Sequence, residues 1–273
     1  LPALLAVTRA SHAQARGDSA NTIRFARHAL ALVADDDPLT HGIASGFLGI
    51  ASWMNGDLES AYTALADGMT SLRRAGNVAF VLNDVFFQAE IRLAQGRLRA
   101  ASAIYEQALR QSIVPDRPPA QGAANLYAGL SIVRLEQGDV AAAQDALRQS
   151  EALGEAAGLP DWPYRHNLAT AQLRMARGQW NEALQLLAEA EEMYSGLPVP
   201  LWRPPAVLQA RIWIAQGQLA KVRQWIGAQG LKVDDTLRYS HEAAHITLAH
   251  LLLAELRLAQ NDGAVLIELL GRL

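Results

Sequence analysis

The chain has no cysteine, which removes disulfides, thiolate nucleophiles and cysteine-bound metals from consideration. Lysine is nearly absent too: Lys221 and Lys232 are the whole complement, and the formal net charge is −3. A chain of that balance has no electrostatic case for nucleic acid. Aromatic residues make up 6% of the sequence, and no Val/Ile/Thr-rich alternating segment stands out, so no strand is expected. No apolar run reaches membrane-spanning length and no signal peptide is visible. The expectation is a cytoplasmic protein with neither membrane nor nucleic acid as a partner. There is no Gly-x-x-x-x-Gly-Lys-Ser/Thr phosphate loop, and no cofactor is expected.

What the chain has is a period. Ala-x-Gly or a close relative recurs at Gly17, Gly56, Gly96, Gly138, Gly178 and Gly217, at steps of 39, 40, 42, 40 and 39 residues, with Asn261 another 44 on. Seven residues before each turn sits a small side chain: Ala10, Gly49, Ala89, Ser131, Ala171, Ala210 and Ala254. Five residues after it stand Thr22, Ala61, Ala101, Ala143, Ala183 and Val222, with Leu266 the exception. Helices approach closely only where one offers a small residue to the other. A turn between antiparallel helices needs a left-handed backbone, which glycine and then asparagine tolerate.

Ten of the eleven prolines fall at the expected handovers between units, and the eleventh is Pro2. Proline lacks the N–H that a helix interior requires. Between these stops the apolar pattern is helical, as in Leu58, Tyr62, Leu65, Met69 and Leu72. A fixed step of this size marks a solenoid in which each unit buries its face on its neighbours. The expected fold is all-α: a right-handed superhelical solenoid of about seven helix-turn-helix repeats filling residues 1–273 as one domain. Approximate units are 1–37, 38–77, 78–117, 118–160, 161–200, 201–236 and 237–273. Both ends are apolar (Leu1–Leu5 and Val265–Leu273), where a complete solenoid would carry polar caps, so excision from a longer chain is expected.

The stretch from Gln95 to Leu109, Gln-Gly-Arg-Leu-Arg-Ala-Ala-Ser-Ala-Ile-Tyr-Glu-Gln-Ala-Leu, resembles the tetratricopeptide repeat, lengthened from its usual 34 residues to about 40. A late segment is more specific. Tyr239, His245, Thr247, Leu248, Ala249, Leu252, Leu253 and Ala254 are similar to the segment that closes the sensor region of MalT-like regulators, ATP-dependent bacterial transcription factors of LuxR type. Ala244 departs from the glutamate that family carries before its histidine. The resemblance implies a regulatory domain that binds a small-molecule inducer and relays it to flanking ATPase and DNA-binding domains. The alternative is a tetratricopeptide scaffold for a protein partner. Neither reading makes the chain an enzyme.

One motif points elsewhere. His241-Glu242-Ala243-Ala244-His245 spells H-E-x-x-H, which on a helix puts two histidines on one face for zinc, with the glutamate as base. A third ligand at the metzincin spacing is missing, because Leu248 and Leu251 stand there. The expected reading is ordinary helix, with a zinc hydrolase a remote third and no metal site assigned.

In tetratricopeptide proteins the first helix of each unit lines the concave face, which implies inward positions 13, 10 and 6 residues before each turn. These include Asn83, Phe86, Asn125, Arg165, Gln172 and Arg211. The handover segments add Trp162, Trp202 and Arg203, each beside proline at the head of a first helix. Apolar walls with a few orienting polar groups are what a small-molecule site needs. Each candidate has a structural reading beside it: Asn83 and Asn125 as helix caps, Phe86 as core, the arginines as partners of neighbouring acids, and the tryptophans as wedges between repeats.

Overall fold

Gly17, Gly56, Gly96, Gly138, Gly178 and Gly217 all have φ between +68° and +83°, a left-handed backbone that side-chain-bearing residues rarely adopt. At each the chain closes a helix in the same way. The glycine N–H bonds the carbonyl three residues back and the next N–H reaches five back, as in Gly138 to Leu135 and Asp139 to Arg134, both 2.9 Å. This Schellman ending satisfies the last carbonyls and reverses the chain. Where the following residue is aspartate it caps the next helix: Asp18, Asp57 and Asp139 accept from the N–H three residues on.

The computed structural model describes residues 1–113, 115–193, 204–259 and 270–272, with backbone alone at 78–80, 83, 84 and 259. Its helices are α1 (Pro2–Ala15), α2 (Ser19–Leu32), α3 (Pro38–Met54), α4 (Leu58–Arg74), α5 (Val78–Ala94), α6 (Leu98–Ser112) and α7 (Ala123–Glu136). They continue as α8 (Val140–Leu153), α9 (Trp162–Ala176), α10 (Trp180–Met193), α11 (Pro205–Ala215), α12 (Leu219–Ala228) and α13 (Glu242–Ala259). No strand occurs among the described residues. Pro2, Pro38, Pro163 and Pro205 open α1, α3, α9 and α11 within their first two positions, where a missing N–H costs nothing. The Asn261 turn lies outside the described residues. No described helix is long and apolar enough to cross a membrane.

The small-residue columns sit where helices meet. Ala10, Ala89, Ser131, Ala171 and Ala210 are wholly buried, as are Thr22, Ala61, Ala101, Ala143, Ala183 and Val222. At Gly49 a Cβ would stand 2.7 Å from Leu65 Cγ, and at Gly42 one would stand 2.5 Å from Leu72 Cγ. Glycine is therefore what lets α3 and α4 pack this closely.

The core is a row of clusters rather than one centre. Ala6, Ala29 and Ala44 form one; Leu82, Phe86, Tyr105 and Leu126 another; Leu187, Leu208 and Ile212 a later one. Each joins neighbouring helix pairs, as expected of an α-solenoid. The cluster around Trp53 breaks the rule, because it also takes in Tyr239 from the far end of the chain.

Candidate functional site

First helices of successive pairs touch one another: α1 with α3, α3 with α5, α5 with α7, α7 with α9, and α11 with α13. Second helices pack chiefly on first helices. The odd-numbered helices therefore form the inner layer of the curved stack, and the polar groups they carry define its working face.

The densest polar arrangement on that layer spans α5, α7 and α9. Asp161 precedes α9, and its Oδ2 accepts from Arg165 Nε at 2.5 Å. Its Oδ1 accepts from Asn125 Nδ2 at 2.9 Å. Asn125 Oδ1 in turn accepts the backbone N–H of Leu159 at 2.8 Å. One asparagine thus ties the body of α7 to the segment leading into α9. The Arg165 guanidinium lies over the Phe86 ring, 4.1 Å from its centroid, and Phe86 leans on Tyr105 at 5.9 Å. Burial pushes the Tyr105 hydroxyl above its ordinary range, and the Glu90 carboxylate adds to this while Arg165 opposes it. The terminal nitrogens of Arg165 make no hydrogen bond among the described residues. A guanidinium held flat by an aromatic ring, with its outer edge uncommitted, is suited to receive a carboxylate or a pair of acceptors.

The sequence candidates divide accordingly. Phe86, Asn125 and Arg165 come together. Phe86 is fully buried, so it supports the guanidinium from beneath. Asn125 is fully buried, bonded to Asp161 and Leu159 rather than capping a helix. Trp162 wedges α8 against α9: its Nε1 donates to Ser150 Oγ at 3.0 Å, and Ser150 Oγ donates to the Ala124 carbonyl at 2.7 Å. The Trp162 ring lies 5.2 Å from His166. Burial holds His166 below its ordinary value, with Glu151 partly opposing. Gln172 is buried on α9. Arg211 is half-buried on α11, and with burial, the larger effect, it lowers His250 on α13. The Asn83 side chain, Trp202 and Arg203 lie outside the described residues.

The H-E-x-x-H segment is pulled apart by the fold. His241 is exposed on a short 3₁₀ turn before α13, whereas His245 is 1% exposed inside it. The Nδ1 of His245 sits 3.1 Å from the His241 carbonyl, and its Nε2 sits 3.5 Å from Asp235 Oδ2. Its ring is thus engaged by its own helix and by a loop carboxylate. Among the described residues no group of three His, Asp or Glu side chains is placed to hold a metal.

A serine–histidine–aspartate set also occurs, unseen in the sequence. Ser71 Oγ is 3.0 Å from His41 Nδ1, and Asp67 Oδ2 is 3.7 Å from His41 Nε2. Ser71 is buried late in α4, where surrounding amides are spent on the helix. The set braces α3 on α4.

Sequence reading missed one more contact. Trp53 Nε1, on α3, donates to Tyr239 Oη at 3.1 Å. The Tyr239 Cβ would lie 3.1 Å from a Cβ at Gly56. Tyr239, Phe87 and Tyr62 all pack on the buried cluster that holds Trp53. No local spacing relates residue 53 to residue 239.

Comparison with known proteins agrees with this architecture. The family model described as MalT-like TPR region matches residues 3–273. The chain belongs to that family. The apo form of RapI is similar over 100% of this chain and 98% of its own, at 12% identity and a TM-score of 0.64. A tetratricopeptide repeat protein from Parabacteroides merdae is similar over 99% of this chain and 98% of its own, at 14% identity and a TM-score of 0.50. The nearly identical TPR-like repeats of a putative kinesin light chain from Podosopora anserina cover 70% of this chain and 95% of their own, at 18% identity and a TM-score of 0.50. These likenesses are likenesses of fold. No curated protein matches the chain.

Proposed function

We propose that this chain is the sensor arm of an ATP-dependent LuxR-type regulator, binding a small-molecule inducer on its inner layer and relaying it to a nucleotide switch and a DNA-binding domain. The seven units of residues 1–273 act as one arm. Membership of the MalT-like TPR region family supports a regulatory repeat scaffold. The observation that carries the sensor reading is Arg165, laid on Phe86 with its outer nitrogens uncommitted and braced through Asp161 and Asn125 to α7. That node joins three successive first helices, so a ligand bound there would change their relative tilt. Small tilts add along a stack. The ligand switches the arm only as far as it prefers one curvature over the other.

A thermal-shift screen against a metabolite library tests the reading, with Arg165→Ala in parallel. At a hundredfold excess over its dissociation constant a ligand adds about 2.7 kcal/mol of stability. A hit lost in Arg165→Ala supports the sensor. Hits that ignore the substitution, or none at all with the protein folded, overturn it.

A specific observation favours a second reading, a scaffold for a polypeptide partner: the inner layer already carries a polypeptide segment, through Tyr239 on Trp53. On this reading the partner is a flanking domain or another protein.

A further inference from the structure

The segment between α12 and α13 runs as a strap. Burial alternates along it: residues 231, 233, 235, 237 and 239 are half-buried while 232, 234, 236, 238 and 240 are exposed. One side of the segment thus faces the protein and the other solvent, up to the 3₁₀ turn that Tyr239 opens. Its root is tied down. Asp235 Oδ2 accepts the Lys232 N–H at 2.8 Å and faces His245 Nε2 at 3.5 Å, and Arg272 donates to the carbonyls of Val233 and Asp235. Leu231 and Val233 pack on the last core cluster. The tip leaves that cluster and seats Tyr239 on helix pairs two and three.

The seat is built for a phenol. Trp53, 1% exposed, supplies its indole N–H to the hydroxyl. Phe87 stands edge-on to Trp53 at 6.2 Å and 62°. Tyr62 packs on the same cluster, its ring covered by the Arg92 guanidinium at 3.5 Å. Gly56, with φ +83°, leaves room for the Tyr239 Cβ. Among the described residues the other core clusters join near neighbours, and this one links the second helix pair to the segment before α13.

We propose that the Trp53–Phe87 seat is a docking site for a tyrosine presented at a turn of a polypeptide segment, and that the strap fills it in cis with Tyr239 in the free chain. A partner segment of the same chemistry displaces the strap and releases the last helices from the second pair, loosening the curvature of the stack. The tyrosine it takes is unmodified. Burial pushes the Tyr239 hydroxyl above its ordinary range, and Glu242 and Glu90 add to that against the opposing Trp53 hydrogen bond. A phosphate there would be repelled by both carboxylates. The proposal rests on the inner layer binding polypeptide and needs no small molecule, so it stands or falls apart from the Arg165 site.

The probe is a synthetic peptide of residues 232–242, beside versions with alanine or phosphotyrosine at position 239, titrated into the full chain and into Tyr239→Ala. The cis competitor raises the apparent dissociation constant in inverse proportion to the fraction of chains in which the seat is open. The expected result is at least about tenfold tighter binding to Tyr239→Ala than to the native chain, with no binding by the alanine or phosphotyrosine peptides. Equal binding to both proteins, equal binding by the alanine peptide, or no binding to Tyr239→Ala overturns the proposal. Should Tyr239→Ala fail to fold, Trp53→Phe keeps the wall and removes the N–H. The tyrosine peptide must then lose its advantage over a phenylalanine peptide, and an unchanged preference overturns the hydrogen-bonded seat. Because the chain has no cysteine, spin labels at Thr63→Cys and Arg257→Cys report curvature directly. The distance distribution widens in Tyr239→Ala and in the native chain saturated with peptide; an unchanged distribution in both overturns the release.

Discussion

Arg165 on α9 lies 4.1 Å from the ring centroid of Phe86 on α5, two helix pairs earlier, and reaches it while bonded to Asp161 at the head of its own helix. A cation on an aromatic face contributes between about 0.5 and 2 kcal/mol, more as water is excluded. The Arg165 side chain is 22% exposed, which places it toward the upper part of that range. A double-mutant cycle of Arg165→Met and Phe86→Leu, followed by urea unfolding, is expected to give a coupling energy of about 1–2 kcal/mol. Additivity within about 0.3 kcal/mol would show that the guanidinium and the ring are neighbours without interaction.

Two glycines separate crowding from backbone strain. A Cβ at Gly129 would stand 2.5 Å from Tyr105 Cζ, whereas one at Gly138 would meet nothing within 4 Å. Gly138→Ala loses only the comfort of φ +79° and is expected to cost about 1–2 kcal/mol. Gly129→Ala must displace a buried ring, at about 1–3 kcal/mol. Tyr105→Leu should offset part of the Gly129→Ala cost and none of the Gly138→Ala cost. Melting temperatures of the three single variants and the two doubles decide it.

Stability should fall on mild acidification because of His166. Burial keeps its native value below the ordinary histidine range, so the unfolded chain binds this proton more readily than the folded one. Stability is therefore complete above the unfolded value of about 6.5 and drops as the pH falls through the lower native value. His166→Gln, which cannot take the proton, should flatten the dependence of urea midpoint on pH below about 6.5. An unchanged slope would assign the loss to other groups.

Much of this architecture was legible in the sequence, for local reasons. A left-handed backbone demand sits on single residues, so the six turn glycines announced their turns. Close helix contacts demand small side chains at fixed offsets, so Ala10 through Ala210 marked their faces. The Arg165–Asp161 pair also follows from helical spacing. Asn125 did not, because its partners Asp161 and Leu159 belong to an irregular handover whose path no periodicity encodes. Tyr239 was legible only as part of a family motif. Its seat on Trp53 depends on the summed curvature of the pairs between them, a property of the whole stack.

The two histidines of the H-E-x-x-H segment should behave oppositely. His241 is exposed and carries no side-chain bond among the described residues, so His241→Ala is expected to shift stability by less than about 0.5 kcal/mol. His245 is 1% exposed and wedged between the His241 carbonyl and Asp235. Replacing it with alanine empties a buried site and strips a partner from the carboxylate that holds the strap's root, for about 2–4 kcal/mol. The strap carries Tyr239, so His245→Ala should also widen the Thr63–Arg257 label distance, while Glu242→Gln leaves it unchanged. A zinc centre would instead predict that His241 and His245 substitutions both abolish stabilisation by added zinc, with the base Glu242 dispensable for binding. Titration of zinc into the native chain is expected to leave its melting temperature where it was, and a stoichiometric rise lost in His241→Ala would restore the metal reading.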